Sequence, residues 1–150
     1  MIALDTNILV YAVAAEDGMG RHILAQELLD KLGPLRPILP LQVVGEYLNV
    51  CRRRENIAFA DGLERIEAIM SVHRCEPSIA FDFVKAAAIS VNRKLAYFDA
   101  LIITVAARAG ATMLLSEDMH DGLVIEGLKI INPFAPANEA LLAEYFASVA

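Results

Sequence analysis

Basic charge, cysteine and long apolar runs are what this 150-residue sequence has least of. Thirteen Lys and Arg stand against 19 Asp and Glu, a formal net charge of −6. That balance excludes a simple basic nucleic-acid module, whose affinity rests on an excess of cationic side chains. The two cysteines, Cys51 and Cys75, form no CxxC pair and have no metal-ligand spacing. A single disulfide is allowed on count, but two reduced thiols are the expectation. The longest charge-free apolar runs, at 8–15 and 100–107, fall far short of the ~18–20 residues of a membrane span. The first residues carry no basic region, and Asp5 falls where a secretory leader needs Leu. A cytoplasmic location is expected, with no membrane partner. Low-complexity stretches, linkers and internal repeats are absent, so residues 1–150 read as one domain.

What is present is apolar. The hydrophobic fraction is 57% and only 21% is charged, which excludes disorder as the main state. A chain of this length buries roughly 68–70% of its unfolded surface. So high an apolar content raises the expectation of an interface with another chain.

Short apolar runs alternate with helical periodicity. Ile2-Ala3-Leu4 reads as a buried strand that stops at Asp5. Thr6 or Asp5 then caps a helix with Ile8, Leu9, Ala12 and Val13 on one face. A loop follows at 16–20. Leu24, Leu28 and Leu32 mark a helix over 21–32, stopped by Gly33-Pro34. Ile38-Leu39, between prolines, is at best a short strand. Helices are expected at 42–54, 59–73, 81–94 and 99–109, the last rich in Ala and Ile and central. Residues 112–115 and 129–132 read as strands, and 138–149 as a terminal amphipathic helix. The alternation implies an α/β fold with a mostly parallel sheet, whose strands are buried on both faces.

In such sheets the ligand site lies beyond the carboxyl ends of the strands. Two strands end in carboxylates: Asp5 after Ile2-Ala3-Leu4, and Asp118 after Met113-Leu114-Leu115-Ser116. Asp99 opens the apolar run Ala100-Leu101-Ile102-Ile103. Glu46 lies ~60° from Val43 on the helical wheel, at the edge of a buried face. Each acid has a plain structural reading: Asp5 and Asp99 as helix caps, Asp118 as a turn closed with Ser116, Glu46 as a side chain reaching solvent. Together they are costly to desolvate without cations. No Lys or Arg lies within four residues of Asp5, Asp99 or Asp118, and Glu46 is nearest to Arg52. A divalent ion is the natural partner, and oxygen ligands favour Mg²⁺ or Mn²⁺ over Zn²⁺.

The residues resemble a known family. Met1-Ile2-Ala3-Leu4-Asp5-Thr6-Asn7-Ile8-Leu9-Val10-Tyr11 resembles the opening of a PIN domain, the fold of VapC-type toxin ribonucleases. Gln42-Val43-Val44-Gly45-Glu46 resembles its second acidic motif and Tyr97-Phe98-Asp99-Ala100-Leu101-Ile102 its third. Leu114-Leu115-Ser116-Glu117-Asp118-Met119-His120-Asp121-Gly122 resembles the fourth, and Ile131-Asn132-Pro133-Phe134 the exit. The resemblance implies an α/β/α sandwich with a parallel sheet, an acidic pocket holding Mg²⁺ or Mn²⁺, and cleavage of RNA. It makes Asp5, Glu46, Asp99 and Asp118 the catalytic and metal-binding acids. Glu117 competes with Asp118 for the metal-facing place, and Asp121 is a candidate outer member. It also implies a small antitoxin protein as partner and a homodimer. The helices at 21–32 and 59–73 are the candidate partner surfaces.

Phosphodiester hydrolysis needs an activated water and charge relief at the phosphoryl oxygens, which divalent ions supply. In this reading Asp5 and Asp99 bind the main ion. Asp118 holds a second ion or orders the first, and Glu46 ligates or accepts the water's proton. Thr6, Asn7 and Ser116 orient the carboxylates. Arg52, Arg53 and Arg54 are the candidate RNA-binding cluster, with Arg93-Lys94 next; the plain alternative is a solvated helix end. Binding is expected to be weak and salt-sensitive. His73 is expected to be a satisfied, half-buried histidine, and His120 a residue near the pocket.

Three alternatives stand beside this one. An aspartyl phosphatase wants a second acid two residues after the first, where this sequence has Asn7. A phospho-acceptor signalling domain wants adjacent acids that Asp5-Thr6-Asn7 does not supply. A catalytically silent PIN-like interaction module would keep the acids without activity.

Overall fold

The computed structural model describes residues 1–14 and 20–149. The loop expected at 16–20 lies outside the described residues except for Gly20. Among the described residues, thirteen elements of regular structure carry the fold: β1 (Ile2–Leu4), α1 (Thr6–Val13), α2 (Arg21–Leu32), β2 (Ile38–Pro40), α3 (Leu41–Arg53), α4 (Phe59–Val72), β3 (Arg74–Glu76), α5 (Ala80–Arg93), α6 (Tyr97–Arg108), β4 (Met113–Leu115), β5 (Val124–Ile125), β6 (Leu128–Ile131) and α7 (Glu139–Val149), with short 3₁₀ turns at Gly33–Leu35 and Pro136–Asn138.

The strands form one sheet in the order β3-β2-β1-β4-β6-β5. All pairings are parallel except that of β5 with β6. The mixed α/β class with a mostly parallel sheet is therefore as the sequence implies. From β1 the chain moves outward through β2 to β3, then returns to place β4 on the other side of β1. α1–α4 pack among themselves and α5 packs on α6, the two groups that right-handed crossovers in opposite directions put on opposite faces of a sheet. The reversal makes the gap between β1 and β4 a topological switch point, the place where such sheets bind ligands.

Burial follows the apolar runs. Ile2, Ala3, Leu4, Leu114 and Leu115 are buried, and every residue from Ala100 to Ala106 in α6 is buried too. A helix apolar all round belongs inside a protein, so α6 is the central helix expected. One core cluster joins β1, β4, α6 and the inner faces of α1–α4.

Two strands went unread in the sequence. β3 is Arg-Cys-Glu, an edge strand with no apolar run, recruited by pairing Ile38 with Arg74 and Leu39 with Cys75. β5 has two residues and exists through its hairpin, where Glu126 (φ 54°) and Gly127 (φ 78°) both adopt left-handed backbone. That pair of angles defines a tight turn matched to strand twist. The Lys85–Glu126 ion pair fastens the hairpin to α5.

Gly62 is where α4 and α3 meet closely. Tyr47 donates its hydroxyl hydrogen to the Gly62 carbonyl at 3.0 Å. A Cβ at Gly62 would stand 2.8 Å from the Cys51 Sγ. Overpacking costs about 1–3 kcal/mol, set against a helix-propensity gain of about 1. Gly62→Ala is expected to lose about 1 kcal/mol net in denaturant titrations, and Cys51→Ala in the same chain to recover part of it. Cys51 is buried and Cys75 half-buried, and both are free thiols.

Candidate active site

Asp5 is held where β1 becomes α1. Its N–H still donates to the Leu115 carbonyl at 3.0 Å. Its carboxylate caps the helix by accepting the Thr6 N–H at 2.7 Å. The same carboxylate accepts the Ser116 hydroxyl at 2.6 Å and the Asn7 amide at 3.1 Å. Ser116 follows β4, so this bond spans the switch point. Its Oγ also accepts the Met119 N–H at 3.2 Å, closing the turn that carries Asp118. The Asn7 Nδ2 lies 3.2 Å from Asp118 Oδ2, and the Asn7 Oδ1 accepts the Glu117 N–H at 3.3 Å. One amide thus ties two acids 113 residues apart in chain order. Asp5 caps the helix and lines the cavity at once.

Glu46 reaches the same place from α3. Thr6 donates its hydroxyl hydrogen to Oε2 at 3.0 Å, and Gln42 its amide to Oε1 at 2.8 Å. Asp99 is not the cap of α6. The helix begins two residues earlier, with Ala96 at the cap position, and Asp99 sits in the first turn. There the partial positive charge of the helix end favours a carboxylate.

The four acids line one cavity of about 430 Å³, together with Thr6 and Asn7. Their crowding shows in their acidity. Burial first, then the charges of Asp99 and Glu46, push Asp5 from 3.8 to about 6, against the pull of the Ser116 and Thr6 bonds. Asp99 is raised by burial, then by Glu46 and Asp118.

Glu117 does not compete with Asp118. Its carboxylate is taken by Arg21, at 2.6 Å, and by the Tyr11 hydroxyl. Asp121 is not an outer member of the cavity. It accepts the Asn132 N–H at 2.8 Å and the Asn138 amide at 3.0 Å, bracing the exit from β6. Of the three arginines, only Arg54 lines the cavity. Arg52 and Arg53 are exposed, and Arg52 turns toward Asn49. His73 is not satisfied. It is buried, its two ring nitrogens have no hydrogen-bond partner among the described residues, and burial lowers its pKa. His120 is exposed and outside the cavity lining.

The sequence reading missed Val10, Tyr11, Asn49 and Val50 in the cavity wall. Helical spacing holds the signal. Val10 and Tyr11 are one turn beyond Thr6 and Asn7, and Asn49 and Val50 one turn beyond Glu46.

The donor set suits a hard divalent ion: carboxylate oxygens, with no His or Cys in the cavity lining. Among the described residues no three Asp, Glu, His or Cys side chains already stand together as a ligand set. The hydrogen bonds explain the spacing. The Asn7 amide sits between Asp5 and Asp118, and both Glu46 oxygens accept bonds of their own. Asp5 Oδ2 already accepts two bonds, from Ser116 and Asn7, but Asp5 Oδ1 and both Glu46 oxygens accept one each and keep a lone pair to give. The raised pKa values of Asp5 and Asp99 record first burial and then mutual repulsion, both of which a bound cation would offset, and on that ground the residues fit the ion.

An α/β protein with a convergent acid cavity at its switch point is the class that fold and site define. The chain belongs to the PIN-domain family, whose profile matches residues 2–120. It is similar to Ribonuclease VapC7 of Mycobacterium tuberculosis, with 31% identity over 122 residues, 79% of this chain and 82% of that protein. Its fold is similar to that of Mycobacterium tuberculosis VapC20, a sarcin-ricin loop cleaving toxin, with a TM-score of 0.66 and 22% identity over 79% of this chain and 90% of that one. A toxin–antitoxin complex from Klebsiella pneumoniae also matches, at a TM-score of 0.66 and 18% identity, covering 89% of this chain and 98% of that one. No helix among the described residues is long and apolar enough to cross a membrane.

Proposed function

We propose that this chain is a Mg²⁺- or Mn²⁺-dependent endoribonuclease, the toxin of a toxin–antitoxin pair. The observation that carries the reading is the convergence of Asp5, Glu46, Asp99 and Asp118 on one cavity, with Asp5 pushed up to about 6. Family membership and the similarity to Ribonuclease VapC7 support it.

Asp5 and Asp99 would hold the main ion, with Asp118 completing or extending the set. A bound ion supplies charge relief at the phosphoryl oxygens and lowers the pKa of water. Asn7 keeps Asp5 and Asp118 in mutual register. Thr6 and Gln42 fix both oxygens of Glu46, which would ligate the ion or accept the attacking water's proton. Ser116 keeps one lone pair of Asp5 occupied and so fixes how its carboxylate turns. Arg54 offers the cation that meets RNA, while Arg52 and Arg53 add general attraction outside the cavity.

A cytoplasmic homodimer neutralised by a small antitoxin completes the proposal. α2 turns Ile23 and Leu24 outward, and α4 turns Phe59, Leu63, Met70 and Val72 outward. Such apolar faces suit a protein partner. α5 adds Phe81, Val84 and Val91, a surface that periodicity alone did not single out.

The test is digestion of an RNA panel with Mn²⁺ or Mg²⁺, with and without chelator. Metal-dependent cuts that the chelator abolishes support the reading; a panel left intact in both metals rejects it in favour of a silent interaction module.

Stability carries a second signature. The folded-state pKa of Asp5, about 6, lies above its ordinary 3.8. The metal-free protein therefore binds a proton more tightly when folded, and its stability falls as pH rises through that window. An ion that replaces the proton reverses the trend. The rise in Tm caused by Mn²⁺ is expected to be full above pH 7 and to shrink as pH falls through about 6. A rise that is the same at pH 5 and pH 8 argues against Asp5 as a ligand.

A further inference from the structure

The cavity is longer than four carboxylates require. α1 and α3 each leave the carboxyl end of a parallel strand, β1 and β2, so they start together and run side by side. Thr6 meets Glu46 at the acid end. One turn along, Val10 and Tyr11 face Asn49 and Val50, and one turn further, past the end of α3, Arg54 closes the lining. At about 5.4 Å per turn, the wall extends well beyond the reacting centre. Tyr11 is a fixed part of it: its hydroxyl is held by Glu117, its ring packs T-shaped against Phe134 with centroids 5.5 Å apart, and the Arg21 guanidinium lies over it at 5.3 Å.

Arg54 stands apart chemically. It borders a cavity with four carboxylates yet makes no ion pair or side-chain hydrogen bond with any of them. A guanidinium beyond reach of the acids does not neutralise the metal site, and its five donors remain for an anion entering from solvent. Asn49, which also lines the cavity, has among the described residues one long 3.5 Å side-chain contact, from Arg52 to its Oδ1, and its amide hydrogens face no partner there.

We propose that this distal half of the cavity is a subsite for the nucleotide adjoining the scissile bond, with Arg54 binding that nucleotide's phosphate. The inference rests on the nuclease reading and adds a polarity to it: the cut phosphate lies among the acids, and its neighbour lies against Arg54 with Asn49 beside it. Val10 and Val50 give the sugar and base an apolar wall.

The test compares the full-length wild type with Arg54→Ala, Arg54→Lys, Arg52→Ala and Arg53→Ala on one short RNA with a single cut site. Arg54→Ala is expected to raise KM roughly tenfold, the scale of a charge-assisted hydrogen bond, with kcat changed much less. Arg54→Lys should recover part of the loss, and the other two arginine variants should lose less. Replacing the adjoining phosphate with an uncharged methylphosphonate should weaken the wild type about as much as Arg54→Ala does, and weaken that variant little further. Equal sensitivity of both proteins to the uncharged linkage overturns the assignment, as does a KM unchanged by Arg54→Ala. Anisotropy with labelled RNA separates the two readings. Wild type that binds but never cuts removes the nuclease reading alone, while equal affinities of wild type and Arg54→Ala remove the subsite whether or not RNA is cut.

Discussion

Asp5→Asn is expected to abolish metal-dependent RNA cleavage while leaving a folded, soluble protein. The new side chain keeps the size of the old one and is an equally good helix cap, so the bond from the Thr6 N–H survives. Ser116 can turn to accept where it donated, and Asn7 retains Asp118 as partner. What disappears is the carboxylate that shares the cavity with Asp99 and Glu46. Losing an outer-shell partner of a metal site costs 10–100-fold, so the loss of a ligand should exceed roughly 100-fold in kcat/KM. Because the substitution also removes a buried charge with a raised pKa, metal-free stability should vary less steeply between pH 4 and 6 than in wild type. Initial-rate assays beside circular dichroism melts report both. A well-folded variant with undiminished cleavage refutes the assignment.

Arg108→Met is expected to give the largest loss of stability at a distance from the site. Asp82, almost wholly buried, opens α5 by accepting the Ile79 N–H at 2.8 Å. Burial would raise its pKa, but Arg108 and the Ile79 N–H more than offset that and hold it below 3.8. Arg108, at the end of α6, grips both Asp82 oxygens at 2.9–3.1 Å, Glu76 at 2.8 Å and the Pro77 carbonyl at 2.7 Å. It joins the edge strand β3 to α5 and α6. Removing one partner of a buried pair leaves a charge without compensation, at 3–5 kcal/mol; the partial exposure of Arg108 places this case near the lower figure. About 3 kcal/mol corresponds to roughly 6–12 °C in Tm for a chain of this size. A depressed carboxylate stabilises above its unfolded pKa and loses that contribution as pH falls through the folded one. The gap between wild type and variant should therefore be widest near neutrality and narrow below pH 4. Asp82→Asn, which leaves no buried charge, should cost less. Arg108 lies nine residues from Asp99, about 14 Å along the helix, so kcat at a temperature where both proteins are folded should hardly change.

The parts of this molecule written in apolar runs were legible before any coordinates. β1 and β4 are continuous apolar runs, β6 is broken only by the exposed Lys129, and α6 is buried all round from Ala100 to Ala106, so their places follow from burial alone. The four acids were legible for the complementary reason: each breaks or ends such a run, where an unpaired charge is costly. What escaped depends on partners distant in sequence. β3 is polar and becomes a strand because β2 offers it a ladder. β5 rests on a turn, not on its two residues. The role of Glu117 is set by Arg21, 96 positions away, and no local pattern distinguishes it from Asp118. His73 reads as a buried histidine in both sequence and structure; that its nitrogens find no partner among the described residues is a property of the packing around it. Arg54 stands out from its two neighbours only after α3 is placed beside α1.

Calorimetric titration of the metal-free protein with Mn²⁺ tests the central claim most directly, that Asp5, Glu46, Asp99 and Asp118 form one divalent-ion site. Saturable uptake is expected in wild type, lost in Asp5→Asn and weakened in Glu46→Gln. Because Asp5 titrates at about 6, binding at pH 6 should release about half a proton from it, and close to none at pH 8. No uptake in wild type, or uptake that Asp5→Asn leaves unchanged, would contradict the account.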